Sequence, residues 1–468
     1  MTQAAITPPP ESPPASGIAS QCADTARVGP VVTLNAFQVL MRRWAALHPY
    51  NAGQVMQVTG AGDVERWKHA VESVLGTLGL GCPRFTEGDF EVRYVAATDV
   101  LIEQTERDFA KFFNEELNRK FGSGELPLRF TIISRGDNTH YFAAVYDHWI
   151  GDSRAMRELM QRIFAAYQDP ERPSKLPALT LEAPAFHGLF KHRMGLIPRR
   201  TQALVQSMLC IWNNRHAFRV NLMDPLNFES RFIYTTLPAG LIERIYKWGK
   251  QNQGSVNDVF LAVLGQTMGV WTEHERQTRR HKRFHFYRRQ VGLGTIMDIR
   301  EAAGENLDRV FGLYLSSYTV VLDRPEHEQL GALAKRIAAY TGRIKKTYAA
   351  VRGFYSLVMA RFCWDAYDDE RYRAQLFHKS VPVSAGISNV NMTKSWADQV
   401  WDKNVEKPQI LDYLRISPTG PLGPLVFTLT TIRDRLSLCV TYRPTAFSDE
   451  QANALVAEFV KRLGEVGP

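Results

Sequence analysis

The strongest candidates for chemistry are a histidine and a carboxylate four residues apart, His148 and Asp152. They follow the apolar run 141–145 and precede a helical pattern that begins near Ala155. The pair therefore stands in a short loop between a predicted buried strand and a helix, where rigid elements can hold catalytic side chains. Imidazole exchanges protons near neutral pH, as a general base must. Because this spacing is common by chance, a second interpretation is a core histidine bonded to backbone.

The residues around this pair resemble the His-His-x-x-x-Asp-Gly signature of an acyltransferase superfamily. The superfamily includes chloramphenicol acetyltransferase, nonribosomal peptide condensation domains, wax ester synthases and alcohol acetyltransferases. His148 matches the second histidine, which is the general base of the family, and Asp152 matches the aspartate. Asp147 stands in place of the first histidine and Ser153 in place of the glycine. These departures leave open a catalytically silent relative that binds a carrier protein or a partner enzyme.

Two further stretches resemble motifs of the same superfamily. The run 255–259 resembles its Thr-Val-Asn-Asp-Val motif, so Asn257 and Asp258 are expected near the channel between the lobes, or simply as helix caps. The run 297–300 resembles a strand whose arginine pairs with the motif aspartate. On that resemblance Arg300 neutralises Asp152, which would then shape the loop rather than relay protons.

A third stretch, 383–391, resembles a strand that crosses between the lobes and lines the reaction chamber in the family. The resemblance places Ser388 and Asn389 on that chamber. The expected channel or substrate-binding set is completed by residues of the two motifs already described: Asp147, Trp149, Ser153, Asn257 and Asp258.

The resemblance implies transfer of an acyl group from a thioester to a hydroxyl or an amine, with ester formation as the expected outcome. The donor would be acyl-CoA or a phosphopantetheinyl acyl carrier protein, acting as a co-substrate. His148 would take the proton of the acceptor, and protonated His148 or Ser388 would stabilise the oxyanion. No metal and no permanently bound cofactor is expected.

Strands that alternate with helices predict a layered α/β protein. The resemblance refines this fold class to two chloramphenicol-acetyltransferase-like lobes, each a mixed sheet flanked by helices, with the active-site channel between them. The expected parts are a disordered Pro-rich arm (1–30), an N-terminal lobe with the motif (31–185), a basic crossover linker (186–229) and a C-terminal lobe (230–468).

Periodicity also predicts individual elements. We expect strands at 54–58, 90–95, 126–133 and 230–237, and a hairpin at 425–442. Helices are expected at 102–117, 155–168, 240–251, 326–349, 369–377 and 449–463.

The formal net charge of +9 favours anionic partners. Residues 187–219 combine several Lys and Arg with bulky apolar residues and contain no acidic residue. This composition predicts a crossover helix packed on the lobes, peripheral contact with an anionic membrane, or both. A second basic run, 276–289, fits a solvated loop or a phosphate or carrier contact. No nucleic-acid-binding module is recognisable, so nucleic acid is not an expected partner.

The five cysteines are scattered, without a pair spacing typical of zinc sites or a disulfide framework. This pattern favours free thiols in a reducing compartment. No secretory signal or membrane span is recognisable in the sequence. The expected location is therefore cytoplasmic, with the inner membrane face as a possible peripheral site.

Overall fold

A computed structural model describes residues 28–467 with short gaps at 87, 89, 98, 171–175, 182–188, 190–198, 279–287, 304–305, 348, 394–395 and 397–406. Residues 1–27 of the predicted arm, residues 186–188 and 190–198 of the crossover linker, and residues 279–287 of the basic run lie outside the described residues. The described chain begins with a strand at Val28, so residues 28–30 are not part of an arm.

Strands and helices alternate along most of the chain. The strands are β1 Val28–Thr33, β2 Asn51–Thr59, β3 Cys82–Phe85, β4 Glu91–Val95, β5 Ile102–Thr105, β6 Leu128–Ser134, β7 Thr139–Asp147, β8 Arg231–Thr236, β9 Gln290–Asp298, β10 Leu315–Asp323, β11 Ala385–Asn391, β12 Ile410–Ile416, β13 Leu425–Ile432 and β14 Arg435–Tyr442. The helices are α1 Ala36–Leu47, α2 Val64–Leu78, α3 Phe109–Glu116, α4 Ser153–Gln168, α5 Arg199–Asn214, α6 Leu241–Gln251, α7 Val256–Thr278, α8 Leu330–Lys346, α9 Ala349–Asp365, α10 Glu370–Ser380 and α11 Asp449–Gly464.

The strand that carries the motif, β7, lies at the centre of a five-stranded sheet with the order β12-β2-β7-β6-β5. It pairs antiparallel with β2, in a register that sets Asn51 opposite Asp147. Residues 140–146 of β7 are buried, so both faces of the strand are covered. The apolar run explains this position, because only a central strand can bury consecutive side chains on both faces. The last residue of β7 therefore leaves the sheet from a rigid strand.

The second large sheet has six strands in the order β10-β9-β11-β13-β14-β8. Its middle strand β11 runs parallel to both β9 and β13, and the remaining pairs are antiparallel. Helix α7 is buried over residues 258–269 and packs against α6, α8 and α11. This helix is apolar on almost every face because other elements surround it. The result is a second core, separate from the one around β7.

One strand of the predicted C-terminal lobe completes the other sheet. Strand β12 pairs antiparallel with β2, with Tyr413 opposite Met56. The crossing strand is therefore β12 and not the stretch 383–391, whose strand β11 stays inside the second sheet. This exchange binds the two sheets together, and it places side chains of β12 directly between them.

The structure corrects two secondary-structure predictions and one prediction about the cysteines. The first residues of the predicted helix 102–117 form strand β5, parallel to β6, and the helix itself is only α3. Helix α9 was not predicted, because its apolar residues are spread around the helix rather than gathered on one face. The expectation that all cysteines are free is also wrong, since Cys82 is disulfide-bonded, whereas Cys210, Cys363 and Cys439 are free.

Helix α5, in the predicted basic linker, packs against α9. Its outer face exposes several large apolar side chains, of which Met208 is 61% and Trp212 is 62% exposed. Within the part of the chain that the structure describes, no helix has both the length and the apolar character needed to span a bilayer.

Candidate active site

The motif loop connects the end of β7 to the start of α4. Asp152 is the N-cap of α4, and its Oδ1 accepts hydrogen bonds from Arg154 N at 3.0 Å and Ala155 N at 2.9 Å. These are backbone N–H groups of the first helical turn that have no partner inside the helix. The aspartate therefore fixes where the helix begins, and with it the path of the preceding residues.

The second oxygen of Asp152 contacts the other half of the molecule. Its Oδ2 accepts from Arg300 Nη1 at 2.8 Å and from Tyr314 N at 2.8 Å. Asp152 is 0% and Arg300 4% exposed, so the pair is fully buried. Burial works to raise the pKa of Asp152, but the Arg300 charge and these hydrogen bonds outweigh it and hold the pKa below its usual value. The carboxylate is thus charged, each of its oxygens accepts two hydrogen bonds, and its role is structural.

The imidazole of His148 is held at Nδ1, and none of the described residues forms a hydrogen bond to Nε2. Its Nδ1 lies 3.2 Å from the carbonyl oxygen of Gly151, and its ring stacks on that of Tyr50 with centroids 5.8 Å apart. A carbonyl oxygen can only accept, so this hydrogen bond places the proton on Nδ1 and leaves the lone pair on Nε2. Burial lowers the pKa of His148 from its usual value, which keeps the ring neutral at pH 7.

His148 lines a cavity of about 300 Å³. The walls come from both halves of the chain and are mostly apolar. They include Phe37, Tyr50 and Met41 from the N-terminal half, and Leu315, Ile387 and Ser388 from the C-terminal half. A mostly apolar chamber with a few polar groups is typical of a site for a small organic ligand.

Beside the chamber, the hydroxyl of Ser153 accepts from three donors. These are Gln54 Nε2 at 3.3 Å, Arg157 Nη1 at 3.1 Å and Arg415 Nη1 at 3.2 Å. Arg415 belongs to β12 and is 2% exposed. Its Nη1 also donates to Ser388 Oγ at 3.1 Å, and its Nη2 donates to the carbonyl oxygen of Leu429 at 2.7 Å. One guanidinium therefore joins the motif loop to the second sheet.

Comparisons with known proteins find the fold of this chain in solved structures. No protein-family model and no curated protein matches the sequence. The condensation domain of the monacolin K polyketide synthase MokA superposes with a TM-score of 0.64 at 12% identity, over 94% of this chain and 97% of that one. The TRI3 trichothecene 15-O-acetyltransferase of Fusarium sporotrichioides gives a TM-score of 0.68 at 10% identity, over 92% and 94%. The chain has the condensation-domain fold.

A starter condensation domain of the rhizomide synthetase RzmA is similar to the same degree, with a TM-score of 0.62 at 10% identity over 93% of this chain and 94% of that one. The predicted fold class, two α/β lobes with mixed sheets flanked by helices, is confirmed.

Of the residues expected on the channel, the structure places His148 and Ser388 on the cavity wall. Asp147 and Trp149 point elsewhere: Trp149 is 3% exposed, and its Nε1 donates to Asp147 Oδ2 at 3.0 Å. Burial raises the pKa of Asp147 to about 7. Asp147 is thus bound by Trp149 and is not among the residues that line the cavity that holds His148.

Asn257 and Asp258 are not among the residues that line the described cavities. Asp258 Oδ2 accepts from Ser255 N at 2.8 Å, and its Oδ1 accepts from Thr341 Oγ1 at 2.7 Å. The carboxylate thus caps the start of α7 and connects this helix to α8. Helix capping is the alternative that the sequence offered to a position near the channel. Asn389 does not line these cavities either, and its buried Oδ1 has no hydrogen-bond partner in the described residues.

Sequence reasoning missed Tyr50, Gln54 and Arg415. Gln54 and Arg415 carried a weak signal, because a polar residue inside an otherwise apolar strand needs a buried partner, whereas Tyr50 precedes β2 and carried none. Gln54 is 1% exposed in β2, and Arg415 stands in the run Ile410–Ile416. The sequence did not reveal that β2 and β12 are neighbours, so these residues could not be joined to the motif.

Proposed function

We propose that this protein transfers an acyl group from an acyl thioester to a hydroxyl or amine acceptor, with His148 as the general base. The observation that carries the proposal is a neutral imidazole on the wall of an apolar chamber, with Nδ1 held by Gly151 and Nε2 without a hydrogen-bond partner among the described residues. A structural neighbour crystallised with C8-CoA supports a thioester donor. Acyl-CoA and a phosphopantetheinyl carrier both fit this chemistry.

In the proposed reaction, Nε2 of His148 takes the proton of the acceptor as its oxygen or nitrogen bonds to the thioester carbonyl carbon. The tetrahedral intermediate collapses, the carbon–sulfur bond breaks, and the imidazolium returns the proton to the leaving thiolate. Ser388 Oγ already accepts from Arg415, so its own hydrogen is available to donate to the oxyanion. No covalent acyl-enzyme is needed, because the thioester is already activated.

Replacement of the base tests the proposal. We expect His148→Ala to lower kcat about 100- to 10,000-fold in an assay of thioester consumption, because general-base assistance is lost. His69→Ala, at an exposed position on α2, is the matched control and should retain the wild-type rate. Turnover that survives in His148→Ala would contradict the proposal. A wild-type protein that binds a carrier protein or a partner enzyme but consumes no thioester would instead favour the silent relative.

The pH dependence gives a second check. The pKa of His148 is lowered, so the base stays unprotonated down to a pH below its ordinary value of 6.5. We expect kcat/KM to be constant from pH 7 and to fall only below about pH 6.5, which is the ordinary pKa of histidine. Asp147→Asn removes the neighbouring carboxyl that titrates at about 7 and should leave this limb in place. If the low-pH decrease in kcat/KM shifts in Asp147→Asn, the decrease must be assigned to Asp147 and not to His148.

We also propose that α5 contacts an anionic membrane surface. In favour of this, Leu204, Met208 and Trp212 of one helix are 45%, 61% and 62% exposed, and the Arg215 guanidinium lies 3.8 Å from the Trp212 ring centroid. Exposed apolar side chains beside basic ones are typical of helices that lie in a lipid interface. Flotation with phosphatidylserine vesicles should recover the wild type and lose Met208→Ser/Trp212→Ser. Equal recovery of both proteins would contradict the contact.

A further inference from the structure

The pairing of two strands brings a tyrosine against the imidazole of His148. The ladder between β2 and β7 sets Asn51 opposite Asp147, and the next residue along β7, His148, donates its N–H to the carbonyl oxygen of Tyr50 at 3.1 Å. Residues that stand opposite each other in an antiparallel pair carry their side chains on the same face. Tyr50 therefore continues the ladder by one position, on the same face as the candidate base.

The phenol ring of Tyr50 is packed firmly in this position. It is nearly parallel to the His148 ring, with 17° between the two planes and 5.8 Å between the centroids. Trp44 contacts the same phenol ring edge-on, with centroids 5.3 Å apart. At Gly420 the chain passes so close that an added Cβ would lie 2.5 Å from Tyr50 Cε2. The ring is thus held between its neighbours and lies against the base.

The hydroxyl of Tyr50 differs from the ring, because none of the described residues forms a hydrogen bond to it. Burial alone raises the pKa of this phenol, with no contribution from a hydrogen-bond partner. Tyr50 is half-buried, and it lines the cavity that holds His148. A phenol O–H that leaves bulk water usually finds a partner, so an unbound one on a cavity wall calls for an explanation.

The second tyrosine beside His148 provides a contrast. The ring of Tyr146 meets the imidazole edge-on, with centroids 5.7 Å apart. Tyr146 is only 2% exposed, its hydroxyl is hydrogen-bonded to Gln54, and it is not among the residues that line the cavity. Of the two tyrosines that contact the base, it is Tyr50 that brings an unbound hydroxyl to the cavity wall.

The proposed reaction has a place for such a donor. As the acceptor attacks, the carbonyl oxygen of the thioester becomes an oxyanion, which is stabilised by hydrogen-bond donors that are already in position. Ser388 supplies one hydroxyl on the same cavity wall. The raised pKa keeps Tyr50 protonated at pH 7, so its O–H can donate to this oxygen while the proton stays on the phenol.

We propose that Tyr50 is a catalytic residue of this site, whose hydroxyl donates a hydrogen bond to the oxyanion and whose ring fixes the orientation of the His148 imidazole. When the carbon–sulfur bond breaks, the carbonyl re-forms and the hydrogen bond weakens. Tyr50 neither gains nor loses a proton in the cycle. This inference rests on the proposed function, and it adds a second oxyanion donor beside Ser388.

Removal of the hydroxyl alone tests the donor. We expect Tyr50→Phe to lower kcat about 100-fold in the thioester assay, which is the typical effect of one lost oxyanion donor. KM should stay near its wild-type value, because the oxyanion forms only after the substrates have bound. Tyr246→Phe is the matched control, since it removes a hydroxyl from a tyrosine that is 54% exposed on α6, and it should keep the wild-type rate.

Removal of the ring tests the positioning role. Tyr50→Leu opens His148 to water, which should raise its lowered pKa toward the ordinary value and shift the low-pH decrease in kcat/KM to higher pH. Tyr50→Phe keeps the ring and should leave this decrease in place. The charge of Asp152, which also acts on His148, is the same in both variants. Titration of His148 by NMR gives the same comparison without any turnover.

A wild-type kcat in Tyr50→Phe, beside an inactive His148→Ala, would overturn the inference and leave the proposed function standing. A raised KM at unchanged kcat would also overturn it, because the hydroxyl would then act in substrate binding. An equal loss of kcat in Tyr246→Phe would do the same, since the effect would not be specific to the cavity. The proposed function fails differently, through turnover that survives in His148→Ala. An unchanged His148 titration in Tyr50→Leu would remove the role of the ring.

Discussion

Two buried arginines hold the motif loop, and they carry their charge in different ways. Arg300 and Arg415 are 4% and 2% exposed, and they contact Asp152 and Ser153 respectively. Arg300 faces carboxylates, with Asp152 at 2.8 Å and Asp298 at 3.3 Å. Arg415 faces hydroxyl and carbonyl oxygens from β11, β13 and the loop. The first charge is neutralised locally, and the second is solvated by dipoles.

The pKa directions follow the same division. Burial opposes the charge of Arg300, but Asp152 and Asp298 outweigh it and raise the pKa. Burial and the nearby charge of Arg157 lower the pKa of Arg415 to about 9. A paired charge is expensive to break, because its partner is left buried and alone. A charge held by dipoles has no such partner, so its removal mainly leaves hydrogen-bond acceptors unpaired.

The largest effect is expected when the paired charge is broken. Arg300→Met leaves Asp152 buried without its counter-ion and should lower the free energy of unfolding by about 3 to 5 kcal/mol in urea denaturation. The double variant Asp152→Asn/Arg300→Met removes both charges and should lose less than the single variant. If the double variant loses as much as the single one or more, the pairing of charge is not what matters at Arg300.

A smaller loss is expected at the second arginine. Arg415→Met strands several buried acceptors but no charge, so we expect the free energy of unfolding to fall by about 1 to 3 kcal/mol. Because Arg415 joins β12 to Ser388, kcat should fall while acceptor KM changes little, through lost alignment of the chamber. Arg435→Met, an exposed arginine at the start of β14, is the control. A loss equal to that of Arg300→Met would remove the distinction between the two sites.

The smallest effect is expected at Ser153. Ser153→Gly introduces the glycine of the motif that this loop resembles and removes an acceptor shared by Gln54, Arg157 and Arg415. We expect a loss of about 1 kcal/mol in the free energy of unfolding, which is the typical net value of one hydrogen bond. Ser153→Ala is the control, because it removes the hydroxyl without adding the backbone flexibility of glycine. If both variants match the wild type, the hydroxyl does not hold the arginines.

Much of the frame could be predicted from the sequence. The apolar run of β7 and the helical pattern of α4 place His148 and Asp152 on a loop between rigid elements, and the motif resemblance supplies Arg300 as the partner of Asp152. These features depend on local periodicity or on recognisable short runs. The strand β5 was hidden inside a predicted helix, since four residues carry too little periodicity to distinguish the two.

The network around Ser153 could not be predicted. Gln54 and Arg415 are brought together by the pairing of β2 with β12, two strands more than three hundred residues apart in the chain. Polar residues in apolar strands indicate that a buried partner exists, but they do not identify it.

The sequence by itself determined the alternating α/β character, the motif loop and the residue able to act as a base. Only the tertiary structure decided which side of the loop faces a chamber, that Asp147 and Trp149 lie behind it, and that β12 crosses to the other sheet. The physical reason is the distance along the chain over which each kind of interaction acts. Periodicity and capping act over a few residues, whereas burial, charge pairing and cavity shape depend on segments that meet only when the chain is folded.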